Sequence, residues 1–266
     1  MMTLLRSFFV LTTFLFLSCN SSNEISKPNI VLFMVDDLGW QDTSVSFWKN
    51  ETKFNRLYNT PNMEILANMG VKFTNAYATP VCSPSRISLM TGMNAAKHRV
   101  TNWTLNPNKK KPAEINHKIF EFPDWNYNGL STLDSISNTI YATPLPQILK
   151  DNGYYTIHAG KAHLGAIGYP SSNPLNIGFD INIAGHAAGA PQSYLGVDNF
   201  GNNNSKNKIW AVPGLEKYHG KDIFLTQALS EEVLEKLQKP INSKSPFFLY
   251  FSLYNVHAPL MEDNRF

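Results

Sequence analysis

Cys82-Ser83-Pro84-Ser85-Arg86 stands directly ahead of Ile87-Ser88-Leu89-Met90-Thr91-Gly92. Pro84 suits the first turn of a helix, where a missing N–H costs nothing, and Gly92 suits its end, so the spacing predicts a helix that starts at Cys82. Free backbone N–H groups and the positive end of the helix dipole make that position a seat for an anion. Arg86 lies about one turn further on, so its guanidinium shares the pocket. A lone buried cysteine ordinarily acts as a small hydrophobe. An anion seat and an arginine beside it point instead to chemistry on a negatively charged group.

Further chemistry-bearing residues follow apolar runs. Asn29 to Val35 is nearly all apolar and ends in Asp36-Asp37, which reads as a buried parallel strand with two carboxylates at its C-terminal edge. Adjacent carboxylates there repel each other unless a cation lies between them, and all-oxygen ligation suits Ca2+ or Mg2+. Tyr154 to Ala159 reads as a second strand, running into Gly160-Lys161-Ala162-His163. Lys161 and His163, two apart in an extended segment, are expected to point the same way. Phe247 to Tyr254 reads as a third buried strand, and it leads to Asn255-Val256-His257-Ala258-Pro259.

The elements that must position these groups alternate between strand and helix, so the expected fold is a single α/β domain with a mostly parallel sheet flanked by helices. Thr60 to Gly70 carries an N-cap, Pro61, Glu64 and a terminal glycine, and is expected to be helical. Val71 to Tyr77 alternates enough to be a strand leading into the Cys82 segment. Leu145 to Asn152 forms a helix ended by Gly153. Asp222 is expected to cap a helix with Leu225, Leu229, Val233 and Leu237 on one face, stopped by Pro240. Residues 101–143 and 178–208 read as loops; Trp103, Trp125 and Tyr127 in the first make it a candidate for substrate recognition.

A length of 266 residues with 43% apolar content allows one large core, and a net charge of +3 is too slight to argue for nucleic acid. Residues 1–19 have the layout of an export signal, too short to span a bilayer comfortably. Leu17-Ser18-Cys19 is similar to a bacterial lipobox, so the chain is expected to be exported as a periplasmic or cell-surface lipoprotein, touching membrane only through an N-terminal lipid; cleavage near Ser18 would make it secreted. Residues 20–27 then form a linker and 28–266 the working domain. With Cys19 in the leader, Cys82 is left without a disulfide partner, and an exported lone thiol needs a reason to exist.

Cys82 to Arg86 with Leu89 to Gly92, Asp36-Asp37, Gly160-Lys161-Ala162-His163-Leu164-Gly165 and Val256-His257-Ala258-Pro259 together resemble, in this order, the formylglycine-dependent sulfatases of the alkaline phosphatase superfamily. The resemblance implies an alkaline-phosphatase-like fold in which a maturation enzyme oxidises Cys82 to formylglycine (3-oxoalanine). It also implies that Asp36, Asp37 and residue 82 hold Ca2+. Arg86 would stabilise the aldehyde hydrate, Lys161 would bridge it to the sulfate, His163 would accept a proton and His257 would protonate the leaving oxygen. The family pattern continues with further metal ligands, another lysine and a smaller C-terminal subdomain, whereas this chain stops at Asn264-Arg265-Phe266. On its own it is expected to bind metal poorly and to be nearly inactive. Asn94 to Trp103 is similar to the polysaccharide-acting branch, implying a sulfated carbohydrate substrate such as ulvan, carrageenan or a glycosaminoglycan. Three readings remain open beside this one: a phosphatase or phosphonate hydrolase of the same superfamily, a glycan-binding lipoprotein whose Cys82 stays a thiol, and a thiol hydrolase using Cys82 and His163.

Overall fold

Four parallel strands in the order β1-β6-β4-β5 make the central sheet of the computed structural model, which describes residues 27–110, 118–203 and 208–266. They are β1 (Ile30–Met34), β4 (Tyr155–Gly160), β5 (Ile181–Ile183) and β6 (Phe247–Ser252). A second, two-stranded parallel sheet pairs β2 (Gly129–Ser131) with β3 (Thr139–Tyr141). The helices are α1 (Pro61–Met69), α2 (Cys82–Thr91), α3 (Ala95–His98), α4 (Leu145–Asp151) and α5 (Leu225–Asn242). The leader and most of the linker lie outside the described residues. Among those described, no helix is long and apolar enough to cross a membrane.

The sheet is buried because its central strands are apolar on both faces, as parallel strands covered by helices must be. All of β6 is buried, and all of β4 beyond Tyr155. Leu225, Ala228, Leu229 and Val233 line one side of α5 at spacings of three and four, and they pack with Ile157, Ala159, Leu249 and Phe251 on one face of the sheet. Ile87 and Met90 of α2, with Phe179, Phe248 and Tyr250, build the core on the other face. Each large apolar side chain removed from water there contributes about 1.5–3 kcal/mol. Edge strand β1 is less well covered, with Val31 and Phe33 about half exposed.

Several expected boundaries change, each for an identifiable reason. Val71 to Tyr77 is not a strand: among the described residues no neighbour pairs with it, and Val71, Phe73 and Tyr77 are exposed. Alternation supplies a pattern, but a strand also needs a hydrogen-bonded partner. Thr60 precedes α1 without capping it, because its hydroxyl is engaged with Ser44 instead. Asp222 does not cap α5. The preceding stretch bridges to another segment through Gly196 N–H to Ile223 O at 2.8 Å and Leu225 N–H to Tyr194 O at 2.8 Å, so α5 begins only at Leu225. Pro240 does not stop α5 either; its helical φ lets the last turn run on to Asn242. The Gly- and Asn-rich stretch expected to be loops contains β5, and residues 101–143 contain β2 and β3.

Candidate active site

Because β1, β6 and β4 are adjacent and parallel, their C-terminal ends open side by side, the edge at which open α/β sheets bind ligands. Asp36 lies just past β1, Lys161 just past β4, and Ser252 ends β6. Asp36 donates its N–H to Asn255 O at 2.7 Å and its carbonyl accepts Val256 N–H at 2.6 Å, which ties the segment carrying His257 to the carboxylate.

The carboxylate of Asp36 is buried and each of its oxygens is taken. Arg86 Nη2 donates to Oδ1 at 2.8 Å and Lys161 Nζ donates to Oδ2. Buried charges are tolerated only when paired and fully hydrogen-bonded, and Arg86 meets that condition. Its Nη1 donates to Lys161 O at 2.9 Å, to Tyr250 OH at 3.2 Å and to the Ser252 hydroxyl. Burial pulls the Arg86 pKa down, but Tyr250 and Asp36 outweigh it and the net shift is upward. Lys161 moves the other way, lowered by burial and then by Arg86.

Cys82 is the first residue of α2, half-buried, with Gly92 ending the helix at φ 68°. Next to it, Ser83 Oγ accepts the N–H of Thr104 at 3.0 Å, and the carbonyl of Thr104 lies 2.7 Å from His163 Nε2. A carbonyl only accepts, so Nε2 carries the proton and Nδ1 keeps its lone pair. That Nδ1 is buried and makes no hydrogen bond among the described residues. Burial, then Lys161 and Arg86, hold the His163 pKa well below its usual value, so the ring is neutral. His163 does not reach this place by strand alternation: β4 ends at Gly160 and His163 has φ 51°. Gly189 passes so close that a Cβ there would lie 2.3 Å from the imidazole.

Asp37 and His257 form a more open rim. Asp37 has φ 59° and its side chain is 60% exposed, with Oδ2 3.9 Å from His257 Nε2. His257 Nδ1 lies 2.8 Å from Ala258 O, which leaves Nε2 facing the carboxylates. Ligand atoms of Asp36, Asp37 and His257 all lie within 4.8 Å of one another. This oxygen-rich trio fits a hard dication, though it offers fewer donors than the six to eight of a Ca2+ shell and Asp36 shares its oxygens with two cations. Cys82 stands outside the trio, beside the cations.

The structure therefore brings Asp36, Asp37, Arg86, Lys161, His163, His257 and Cys82 to one edge of the sheet. It removes Trp125 from the recognition candidates: the ring is buried in the core and donates to Lys110 O at 2.6 Å. Trp103 remains half-buried against Leu105, Ala187 and Ala188 with Trp210 alongside. Tyr250 and Ser252 were not among the candidates, although two polar groups two residues apart in an otherwise apolar strand were a usable signal. Thr104 carried none, since it acts through its backbone.

A family model described as Sulfatase matches residues 28–266. N-acetylgalactosamine-6-sulfatase of Mus musculus is 30% identical over 249 residues, covering 90% of this chain and 42% of that protein. A protein named Sulfatase from Formosa agariphila is 26% identical over 269 residues, covering 88% of this chain and 45% of that one. Among solved structures, Ps i-CgsB in complex with k-i-k-neocarrahexaose superposes with a TM-score of 0.59 at 27% identity, covering 90% of this chain and 47% of that chain. The chain thus spans about two fifths of the length of the curated relatives it matches. Both the match along nearly all of its described length and the shared parallel-sheet architecture make it a member of the sulfatase family.

Proposed function

We propose that the chain carries the catalytic domain of an enzyme that hydrolyses sulfate monoesters on a carbohydrate, using Cys82 after its oxidation to formylglycine together with Ca2+. The buried Asp36–Arg86–Lys161 cluster beside Cys82 at a helix N-terminus is the observation that carries this reading, because it presents fixed positive charge to a tetrahedral anion. The aldehyde hydrate would supply one hydroxyl to attack sulfur and a second whose deprotonation expels sulfate as the aldehyde returns. Ca2+, when held by Asp36, Asp37 and residue 82, would supply a Lewis acid that polarises the sulfate and acidifies the hydrate.

The other steps belong to the chain's own side chains. Arg86 offsets charge developing at residue 82, and Lys161 neutralises a sulfate oxygen. His163 takes a proton on Nδ1, the nitrogen that its contact with Thr104 leaves unprotonated. His257, whose Nδ1 already donates to Ala258 O, delivers to the departing alcohol a proton first taken up on Nε2. Trp103, half-buried against Leu105, Ala187 and Ala188 and next in sequence to Thr104, is the aromatic we propose for sugar contact. A carbohydrate substrate is supported by the N-acetylgalactosamine-6-sulfatases among the relatives and by the oligosaccharide bound to Ps i-CgsB. Export as a lipoprotein and a separate maturation enzyme complete the proposal.

Turnover of an aryl sulfate and an aryl phosphate by the whole protein that carries this chain, made with a maturation enzyme and assayed with Ca2+ and then a chelator, tests it. Sulfate should be preferred by about tenfold or more, the range that differing polar contacts produce, with activity lost on chelation. Preference for phosphate would favour the phosphatase reading. Glycan binding without turnover of either ester would favour a binding lipoprotein.

A further inference from the structure

Ser252 ends β6 and meets both cationic residues, the guanidinium of Arg86 through its hydroxyl and the backbone of Lys161 through its carbonyl. Its hydroxyl accepts from Arg86 Nη1 at 2.5 Å, and its carbonyl accepts the backbone N–H of Lys161 at 2.7 Å. Arg86 Nη1 also reaches Lys161 O at 2.9 Å, so the three residues close a ring of hydrogen bonds. The ring needs a very close approach between β6 and β4. Gly160 permits it: φ there is +93° and a Cβ would lie 1.9 Å from Ser252 O. Ser252 is fully buried, and Tyr250, two residues earlier on the same face, adds its hydroxyl to the same Nη1 at 3.2 Å.

An arginine in an apolar wall could meet Asp36 through Nη2 alone and still swing about the Nε–Cζ bond. The acceptors on Nη1 limit that freedom, and Ser252 is the one whose side chain holds Arg86 while its carbonyl holds the backbone of Lys161. We propose that Ser252 is a positioning residue that sets the separation and orientation of Arg86 and Lys161, so that both cations face a single tetrahedral anion. It does this without touching the substrate. The consequence for turnover rests on the sulfatase reading above; the positioning itself does not.

Both levels are measured on Ser252→Ala, Ser252→Cys and Ser252→Thr in the full chain. The first reading is the side-chain nitrogen NMR spectrum of Arg86. Wild type and Ser252→Thr should show separate, slowly exchanging Nη signals, whereas in Ser252→Ala and Ser252→Cys their exchange should quicken, with only Lys161 O and Tyr250 OH left on Nη1. Cysteine removes the strong acceptor without opening a cavity, so it decides the matter if alanine fails to fold. The second reading is aryl sulfate kinetics on matured protein: kcat should fall about tenfold or more in the alanine and cysteine variants with KM changed less, and threonine should restore it. An Arg86 Nη exchange rate unchanged in the cysteine variant would overturn the proposal, as would an unchanged kcat. Absence of sulfate ester turnover by the whole protein that carries this chain would overturn the sulfatase reading, while the NMR comparison on the chain still decides the positioning role.

Discussion

The interior and the rim of the site are built on opposite rules. In the interior, Asp36, Arg86 and Lys161 are nearly inaccessible and their charged atoms are joined to one another or to Tyr250 and Ser252. On the rim, Asp37 and His257 keep ligand atoms open to solvent, and Cys82 is half-buried at a free helix terminus. A closed network has its geometry set before a ligand arrives, which is how charge stabilisation avoids reorganisation during reaction. Open groups are the ones free to bind, be modified or move protons. Substitutions in the interior should therefore cost stability and activity together, and those on the rim activity alone.

Cys82→Ala should give the largest separation between the two. Turnover of an aryl sulfate by matured protein should fall by about 10⁴-fold, the scale of losing a nucleophile, while the melting temperature changes little because a half-buried thiol supplies little packing. A large loss of melting temperature would blur the distinction. Asp36→Ala should show the reverse emphasis. It leaves Arg86 and Lys161 buried without their carboxylate, at a cost of about 3–5 kcal/mol that urea unfolding reads directly.

His163 and His257 straddle the boundary, and the pair sharpens the comparison. His163→Asn and His257→Gln should each lower kcat by about 10²-fold or more, as expected for proton-transfer groups. Only the first should also destabilise the fold, since His163 is buried and His257 is not. His257 could serve the proposed Ca2+ through the same Nε2 that would carry its proton. A Ca2+ titration of His257→Gln separates these: unchanged affinity supports the proton donor, and weakened affinity supports the ligand.

The smallest predicted effect concerns His158, beneath the site. Burial pushes its pKa down to about 3, with Asn182 as its hydrogen-bond partner. The folded value lies below the unfolded one, so the unfolded chain takes up the proton first as pH falls. Stability is full above about pH 6.5 and declines toward pH 3, by about 2 kcal/mol at pH 5 from this group alone. Melting temperatures from pH 8 to pH 5 should show the decline, and His158→Gln should make it shallower, leaving the share of other histidines whose pKa burial lowers, such as His163 and His186.

Much of the interior was legible because apolar runs ending in charge are what a buried parallel strand with a functional tip looks like. Asp36 and Lys161 in the interior, and His257 on the rim, were all picked out that way, and the limits of the three strands that lead to them shifted by no more than two residues. Cys82 was legible from Pro84, Arg86 and Gly92 around it. What escaped depended on tertiary partners. Val71 to Tyr77 had the alternation of a strand but no neighbour to pair with, and Trp125 resembled a surface aromatic until the core closed over it. Asp222 had the chemistry of a cap, but the bridge at Phe224 set where α5 begins. Thr104 and the carbonyl of Ser252 act through backbone atoms, which no side-chain pattern reports.

Peptide mass across residue 82, in protein produced alongside a formylglycine-generating enzyme, tests the central claim most directly. Conversion of the thiol to the aldehyde predicts a loss of about 18 Da on the peptide containing Cys82. An intact thiol mass in material where a known sulfatase is fully converted would contradict the account, leaving a sulfatase-like fold without its nucleophile.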